Sequence, residues 1–563
     1  MEDKTPKNKK EAKKGFLANL TKNQKTAVGT IGVISIAGII GGIFTFMRLP
    51  KGGKCIIGTD IGDIDALDPL ICIWDEQEIL FQVCESLFDN DLSGKKPELI
   101  NVLATSYVWN ENATELTVTL RQGVEFHDGT PVNAMAVKWN FDRFYRLLKL
   151  KKELLNGTMV SWGYLFLLPD GRGIVNETQV INDYTIRFLL NDPFVPFLQL
   201  LTHPTTSILS PTSTPPNDII NLLTGELIGT GPFTYDSYVP HDKVVMSRNQ
   251  NYWGKKANLD EIEFKFYQNP TNVLEAFLSK ECHFLEPLFL TYNPEVSIEQ
   301  FKNDPEFTVQ ETIEPNFRYI GMNNTSINVT MRKAISYAIN YSYFITNVTG
   351  DRGKRARSPI PEGCLYSNTT AFDIPEYNIT YARKLLKDVG WPGTENLTAN
   401  NNVSAGNEWE LKANSLTPLE TYNFSYMQNK IFPQREAILM SEYLKQIGIK
   451  LNLIAPFHFE HMFTFGWYCD YNDPHNALYP IFIHYNEVEL NDSLIIQWIN
   501  DGAKETNSTE REQIYYNLQE RLIEVLYPLV WTIYQLKHYV HVSNLESFQP
   551  TPYKTLLKNA YFK

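Results

Sequence analysis

Twenty-two consecutive residues without a charge, Thr26 to Met47 (TAVGTIGVISIAGIIGGIFTFM), constrain this chain more than any other feature. Wound as a helix at about 1.5 Å per residue, such a run crosses roughly 30 Å of hydrocarbon. Eight lysines between Lys4 and Lys25 precede it, whereas Arg48, Lys51 and Lys54 follow it. The more basic flank stays in the cytoplasm. The expectation is a cytoplasmic basic tail over 1–25, a transmembrane anchor over 26–47, and a body that folds outside the cell. A cleaved signal peptide fits less well. Its apolar core is usually about 7–15 residues and ends at a small-residue cleavage site. Met47-Arg48-Leu49-Pro50 offers no such site, and Gly52-Gly53-Lys54 before Cys55 does not look like a lipoprotein box.

Charge follows the same division. The net charge of −13 splits into +7 for residues 1–51 (ten basic, three acidic) and −20 for the rest (41 basic, 61 acidic). An acidic body is a poor polyanion binder, because nucleic-acid recognition needs clustered Lys and Arg against phosphates. With 43% hydrophobic and 13% aromatic residues, the body has ample material for packed cores and is not a disordered chain. Its length suits two to four lobes.

Fifteen N-x-S/T sequons follow residue 51, where composition alone would give about six. Such sites are glycan acceptors only in an exported protein, so the excess supports an external body. The candidates are Asn112, Asn156, Asn176, Asn328, Asn368, Asn396, Asn402, Asn423 and Asn507; Asn340 falls on a helical pattern. The external compartment permits disulfides. Cys72 and Cys84 are close enough to bridge, but six cysteines also fit as small buried hydrophobes, and spacing does not decide the pairing.

Strand-like alternation marks Leu116–Leu120, Tyr184–Leu190 and Ile262–Phe266. Helical periodicity marks Val132–Lys149, Thr330–Asn347, Thr380–Val389, Arg435–Gln446 and Glu510–Leu526, the last opened by the cap region Asn507-Ser508-Thr509. The two kinds mix along the whole body, which predicts α/β lobes.

Motifs with chemical potential mostly read more simply. Phe126-His127-Asp128-Gly129 is a turn closing a strand pair rather than a His/Asp catalytic pair. Asp60, Asp63, Asp65 and Asp68 lack the glycine and distal glutamate of an EF-hand loop and read as a solvated acidic loop. His458, His461, Cys469, His475 and His484 are dense in soft ligands but have no HExxH or CxxC spacing. No GxSxG elbow, phosphate loop or dinucleotide fingerprint occurs. Neither an enzyme, a metal site nor a cofactor is expected. Gly466-Trp467-Tyr468-Cys469-Asp470-Tyr471-Asn472-Asp473-Pro474 is more informative: one carboxylate among three aromatics suits a cationic ligand group, with rings over its aliphatic neighbours.

Several stretches, taken in order, resemble the family 5 extracytoplasmic solute-binding proteins of ABC importers, which include dipeptide, oligopeptide and nickel binders. Leu67-Asp68-Pro69 is similar to the family's opening LDP. Leu120 to Val137 (LRQGVEFHDGTPVNAMAV) is similar to its LR-x-GV-x-FHDGTP pattern. Ile228 to Gly254 carries GTGP and RNQNYWG, and Val329 to Ile345 (VTMRKAISYAINYSYFI) resembles its VRQALAYAID helix. ARKLLKDVGWP, YLKQIGIKLNL and GWYCDYNDP complete the series.

The resemblance implies a two-lobed α/β fold of the periplasmic-binding-protein type II kind, enlarged by a subdomain. Lobe I would comprise 54–83, 207–315 and 527–563, the subdomain 84–206, and lobe II 316–526. Hinges near 315 and 527 would let the lobes close on ligand, a short peptide above all, for delivery to permease subunits. It also implies that Asp470 pairs a peptide's α-ammonium, with Trp467, Tyr468 and Tyr471 around it. Some oligopeptide binders carry an Arg before the GW, where this chain has Phe463-Thr464-Phe465. The carboxylate end therefore falls to Arg318, Arg352, Arg355 or Arg357, which the sequence does not rank. The same fold with a sugar oligomer or a nickel chelate as cargo is the alternative. A surface hydrolase or structural glycoprotein would need a nucleophile–base pair or repeats, and neither is present.

Overall fold

The computed structural model describes residues 52–563 apart from the short stretches 65–66, 73–74, 92–97, 155–162, 169, 222, 224, 294–295, 351 and 552–553. The expected tail and anchor lie outside the described residues, as do Asp65 and Asn156. Among the described residues, no helix is long and apolar enough to cross a membrane.

Two long antiparallel strands, Phe307–Met322 and Leu529–Val542, run side by side through the middle of the largest sheet. On one flank lie Met462–Tyr468, Glu420–Ser425 and Ile449–Ile454. On the other lie Phe284–Leu285, Lys54–Thr59, Glu261–Phe266, Lys243–Arg248 and Phe233–Val239. Their ladder breaks register between Ile313 and Phe317, opposite Leu536 and Tyr534. Such an irregularity locally bends a strand pair.

The cores change at that break. Phe307, Tyr539, Val540 and Val542 pack with the flank that contains Cys55 and Ile57. Ile320, Met322, Val530 and Ile533 pack on one face of the other flank, and Phe317, Tyr319, Trp531 and Tyr534 on its opposite face. The expected division at 315 falls inside the break. The one at 527 precedes the second strand, whose residues up to Tyr534 still belong to the 316–526 side.

A separate four-stranded antiparallel sheet, Ala104–Trp109, Glu115–Leu120, Thr185–Leu190 and Val175–Asn182, is covered by the helix Ala134–Leu154. Alternation explains it: Leu116, Val118 and Leu120 are buried beside Ile186 and Phe188, against Val137, Phe141 and Phe144 of the helix.

Two expectations need correction. The periodic stretch 330–347 is two helices, Val329–Ala338 and Tyr341–Thr349, because Ile339 is extended and Asn340 caps the second by accepting the Tyr343 amide. The acidic loop is not uniformly solvated. Asp68 is fully buried, accepts the Leu70 and Ile220 amides, and forms an ion pair with Arg143 of the long helix. It fastens the opening segment to the smaller sheet's helix.

Candidate functional site

The site loop starts where the central ladder breaks. Tyr468, last residue of its strand, pairs with Asn316, and the Cys469 amide then donates to the Pro315 carbonyl (2.7 Å). Each following residue is fastened by a different group. The Asp470 amide donates to Asn476 Oδ1 (2.8 Å), and Asn472 Oδ1 accepts the Leu365 amide (2.8 Å). Asp473 caps the helix Pro474–Tyr479 and binds Arg511 with both carboxylate oxygens, at 2.9 and 2.7 Å, in a buried pair. A loop held at so many points is pre-organised, which lowers the entropy lost when a ligand docks on it.

This loop forms one wall of a cleft of about 610 Å³, open solvent at its mouth included. Gln77 and Phe81 come from the helix Asp75–Val83, Asp89 and Asn90 from the strand Phe88–Asp91, and Thr202 to Pro204 from the chain after the smaller sheet. Tyr468, Asp470, Tyr471 and Asn472 face them, and Thr551 and Lys554 close one side. The two sides also touch directly: the Val195 amide donates to the Ala503 carbonyl (2.8 Å), and Phe194 packs edge-on against His475. Tyr471 extends this contact by packing into the smaller sheet's core.

Of the four expected ligand residues, Asp470, Tyr468 and Tyr471 meet at the cleft. Trp467 does not. Side chains alternate along a strand, so it points to the opposite face and packs beside Tyr485. The four arginines considered for a carboxylate are all engaged elsewhere. Arg318 makes a two-pronged pair with buried Glu436 (2.7 and 2.5 Å). Arg352 donates to the carbonyls of Leu290, Asn293 and Val296. Arg355 lies 3.4 Å over the Tyr341 ring, and Arg357 pairs with Glu376 (2.8 Å).

Among the described lining residues the lysine is Lys554, paired with Asp89 and set over the Phe81 ring. The sequence held no signal for it, because the C-terminal segment reaches the site only through the tertiary fold. His203 supplies no charge, since burial pushes its imidazole down to about 3. Asp89 and Asp470 are the acidic side chains among the described lining residues.

Behind Tyr468 lies a second charged group. Buried Lys537 donates to Glu78 (3.4 Å), and the Thr555 amide donates to the same carboxylate (2.8 Å). Burial raises the Glu314 carboxyl against the pull of Lys537. Burial also pushes the Tyr468 phenol well up, so it remains a protonated hydrogen-bond donor. This network joins the helix Asp75–Val83 to both central strands.

Among the described residues, those of the histidine-rich stretch included, no group of three His, Cys, Asp or Glu side chains is placed to hold a metal ion. Asp128 serves its turn, accepting from Thr130, Ser210, Thr212 and Ser213, and His127 contacts the Gly231 carbonyl.

Residues 98–488 match the family model for bacterial extracellular solute-binding proteins, family 5. A glutathione-binding protein, GsiB, of Shigella flexneri serotype 5b is 24% identical over 509 residues, covering 86% of this chain and 90% of that one. HbpA2 from Haemophilus parasuis superposes with a TM-score of 0.75 at 21% identity, covering 91% of this chain and 100% of that one. DppA from Helicobacter pylori, solved with the peptide STSA, gives 0.64 at 22% identity, with 92% and 99% coverage.

Proposed function

Since the chain belongs to the bacterial extracellular solute-binding proteins of family 5, we propose that its cargo is a short peptide whose α-ammonium is held by Asp470. The observation that carries this reading is the place of Asp470, only 8% exposed, in a cleft also lined by Tyr468, Tyr471 and Phe81. A primary ammonium pairs with that carboxylate, and the aromatic rings of Tyr468, Tyr471 and Phe81 cover the carbons beside it. Lys554 takes the peptide's carboxylate by exchanging its partner Asp89. The glutathione and peptide ligands of the relatives are of the same chemical class.

Closure rests on the central strands as hinge, with lobe I at 54–83 and 207–315, the subdomain at 84–206 and lobe II at 316–526. We place the second crossing near Gln535, where the core changes sides, rather than at 527. Ligand that touches both walls favours the closed form over the open one, and permease subunits of an ABC importer read that difference. Residues 26–47 anchor the receptor, and the sequons Asn112, Asn176, Asn328, Asn396, Asn402 and Asn507, all on exposed side chains, carry its glycans. Asn156 lies outside the described residues, while Asn368 and Asn423 are half-buried and offer poorer access.

A tripeptide and its N-acetylated form, titrated into the purified protein, test the role of Asp470. The free peptide is expected to raise the melting temperature. Acetylation of the peptide, or Asp470→Asn, removes most of that gain, because a buried charge loses its partner. Equal binding of the two peptides overturns the role of Asp470 and turns the search to sugar oligomers or nickel chelates.

A further inference from the structure

Six cysteines lie at 55, 72, 84, 282, 364 and 469, and all are buried free thiols in the structure. Two of them, remote in sequence, meet beside the cleft. Cys364 sits in the turn after Pro361, whose carbonyl accepts the Cys364 amide (3.0 Å). Cys469 sits between Tyr468 and Asp470, with its own amide on Pro315. Burial, with the Cys364 side chain beside it, pushes the Cys469 thiol well up. Both side chains belong to the same apolar cluster, with exposures of 4% and 0%. The backbones approach at a second point, where the Leu365 amide meets Asn472 Oδ1 at 2.8 Å. Cys282 also neighbours Cys55, but its thiol interacts with the Gly58 backbone and Tyr267.

We infer that Cys364 and Cys469 are joined by a disulfide in the exported protein, and that this bond is a covalent clamp on the loop bearing Asp470. The family is extracellular, where disulfides form and persist. Each thiol gives up its proton and the pair loses two electrons as the S–S bond forms. A disulfide-bearing oxidoreductase accepts both electrons and protons and becomes a dithiol. The reaction belongs to folding, before the apolar cluster closes. Afterwards the sulfurs are out of reach of reductants, so the bond is a permanent fastening rather than a switch.

The consequence for the site is mechanical. Between Tyr468 and the helix Pro474–Tyr479 the loop is otherwise held by hydrogen bonds and one ion pair. A bond at Cys469 keeps Asp470 in place when the lobes part and the contacts at Phe194 and Val195 are lost. The clamp does not depend on which solute is carried.

The test uses the full chain exported to an oxidising compartment, unfolded in guanidinium with iodoacetamide and no reductant, then digested and analysed by mass spectrometry. The expected result is a linked peptide pair containing Cys364 and Cys469, two hydrogens lighter than its parts, with neither cysteine alkylated. Alkylation of both, or linkage of either to another cysteine, overturns the inference. A second measurement compares Cys364→Ser, Cys469→Ser and the double variant. The melting temperature is expected to fall equally in all three, since either change removes the same bond. Falls that add in the double variant overturn it.

Discussion

Arg511 and Asp473 form a buried two-pronged ion pair beneath the site loop, with side chains 4% and 0% exposed. The guanidinium also donates to the Gly502 carbonyl (2.6 Å), so one side chain joins the loop to two helices of the 316–526 side. Removing one partner leaves a buried charge alone. Arg511→Met is therefore expected to lower unfolding free energy by about 3–5 kcal/mol. Arg511→Met with Asp473→Asn is expected to recover part of that loss. Denaturant unfolding of the three proteins measures it, and equal losses in single and double variants would show that the pair is not the cause.

Acidification should destabilise the protein through His203. Its ring Nδ1 accepts the Thr205 amide (3.2 Å), and burial holds its pKa down at about 3, against about 6.5 in an unfolded chain. Between these values the unfolded state binds more protons than the folded one. The contribution is complete above pH 6.5 and is lost progressively as pH falls toward 3, about 2 kcal/mol by pH 5. His203→Asn retains a cap acceptor without the titration. Its stability is expected to fall less steeply than wild type between pH 6.5 and 5; parallel profiles would remove His203 as the cause.

Several sequons coincide with helix caps. Asn328, Asn340, Asn378, Asn402 and Asn507 each accept a backbone amide at the start of a helix through the side-chain oxygen. Glycosylation uses the side-chain nitrogen, so cap and glycan are compatible. At Asn328 they separate cleanly. Thr330→Ala destroys the sequon and leaves the cap, so it is expected to remove one glycan's mass at little cost in stability. Asn328→Ala removes the same mass and about 1 kcal/mol as well. Intact-mass and melting measurements on both variants check this, and an unchanged mass in Thr330→Ala would show Asn328 to be a cap alone.

Much of this molecule was legible before any coordinates. Local pattern placed the strands around Leu116–Leu120 and Ile262–Phe266 and the helices at 379–388 and 508–520 within a few residues, because periodicity reports which face is buried. It also singled out the loop around Asp470, where a carboxylate among aromatics is a composition that needs a reason. It misjudged Trp467, since a loop read as a string does not say that Tyr468 ends a strand and that its neighbour therefore faces away. It joined the two helices around Asn340, where a cap and a mid-helix asparagine look alike in sequence.

The residues alone determined the mixed α/β architecture, the acidic body, and an aromatic, acid-bearing loop around Asp470, for these depend on pattern and charge along the chain. Only the tertiary structure decided which groups that loop faces. Lys554, Asp89 and His203 come from distant segments, and Cys364 meets Cys469 across more than a hundred residues. The physical reason is that contacts between remote segments follow from how whole sheets and helices pack. The register break between Ile313 and Phe317, where the buried cores of the two flanks meet, arises from the pairing of two long strands remote in sequence.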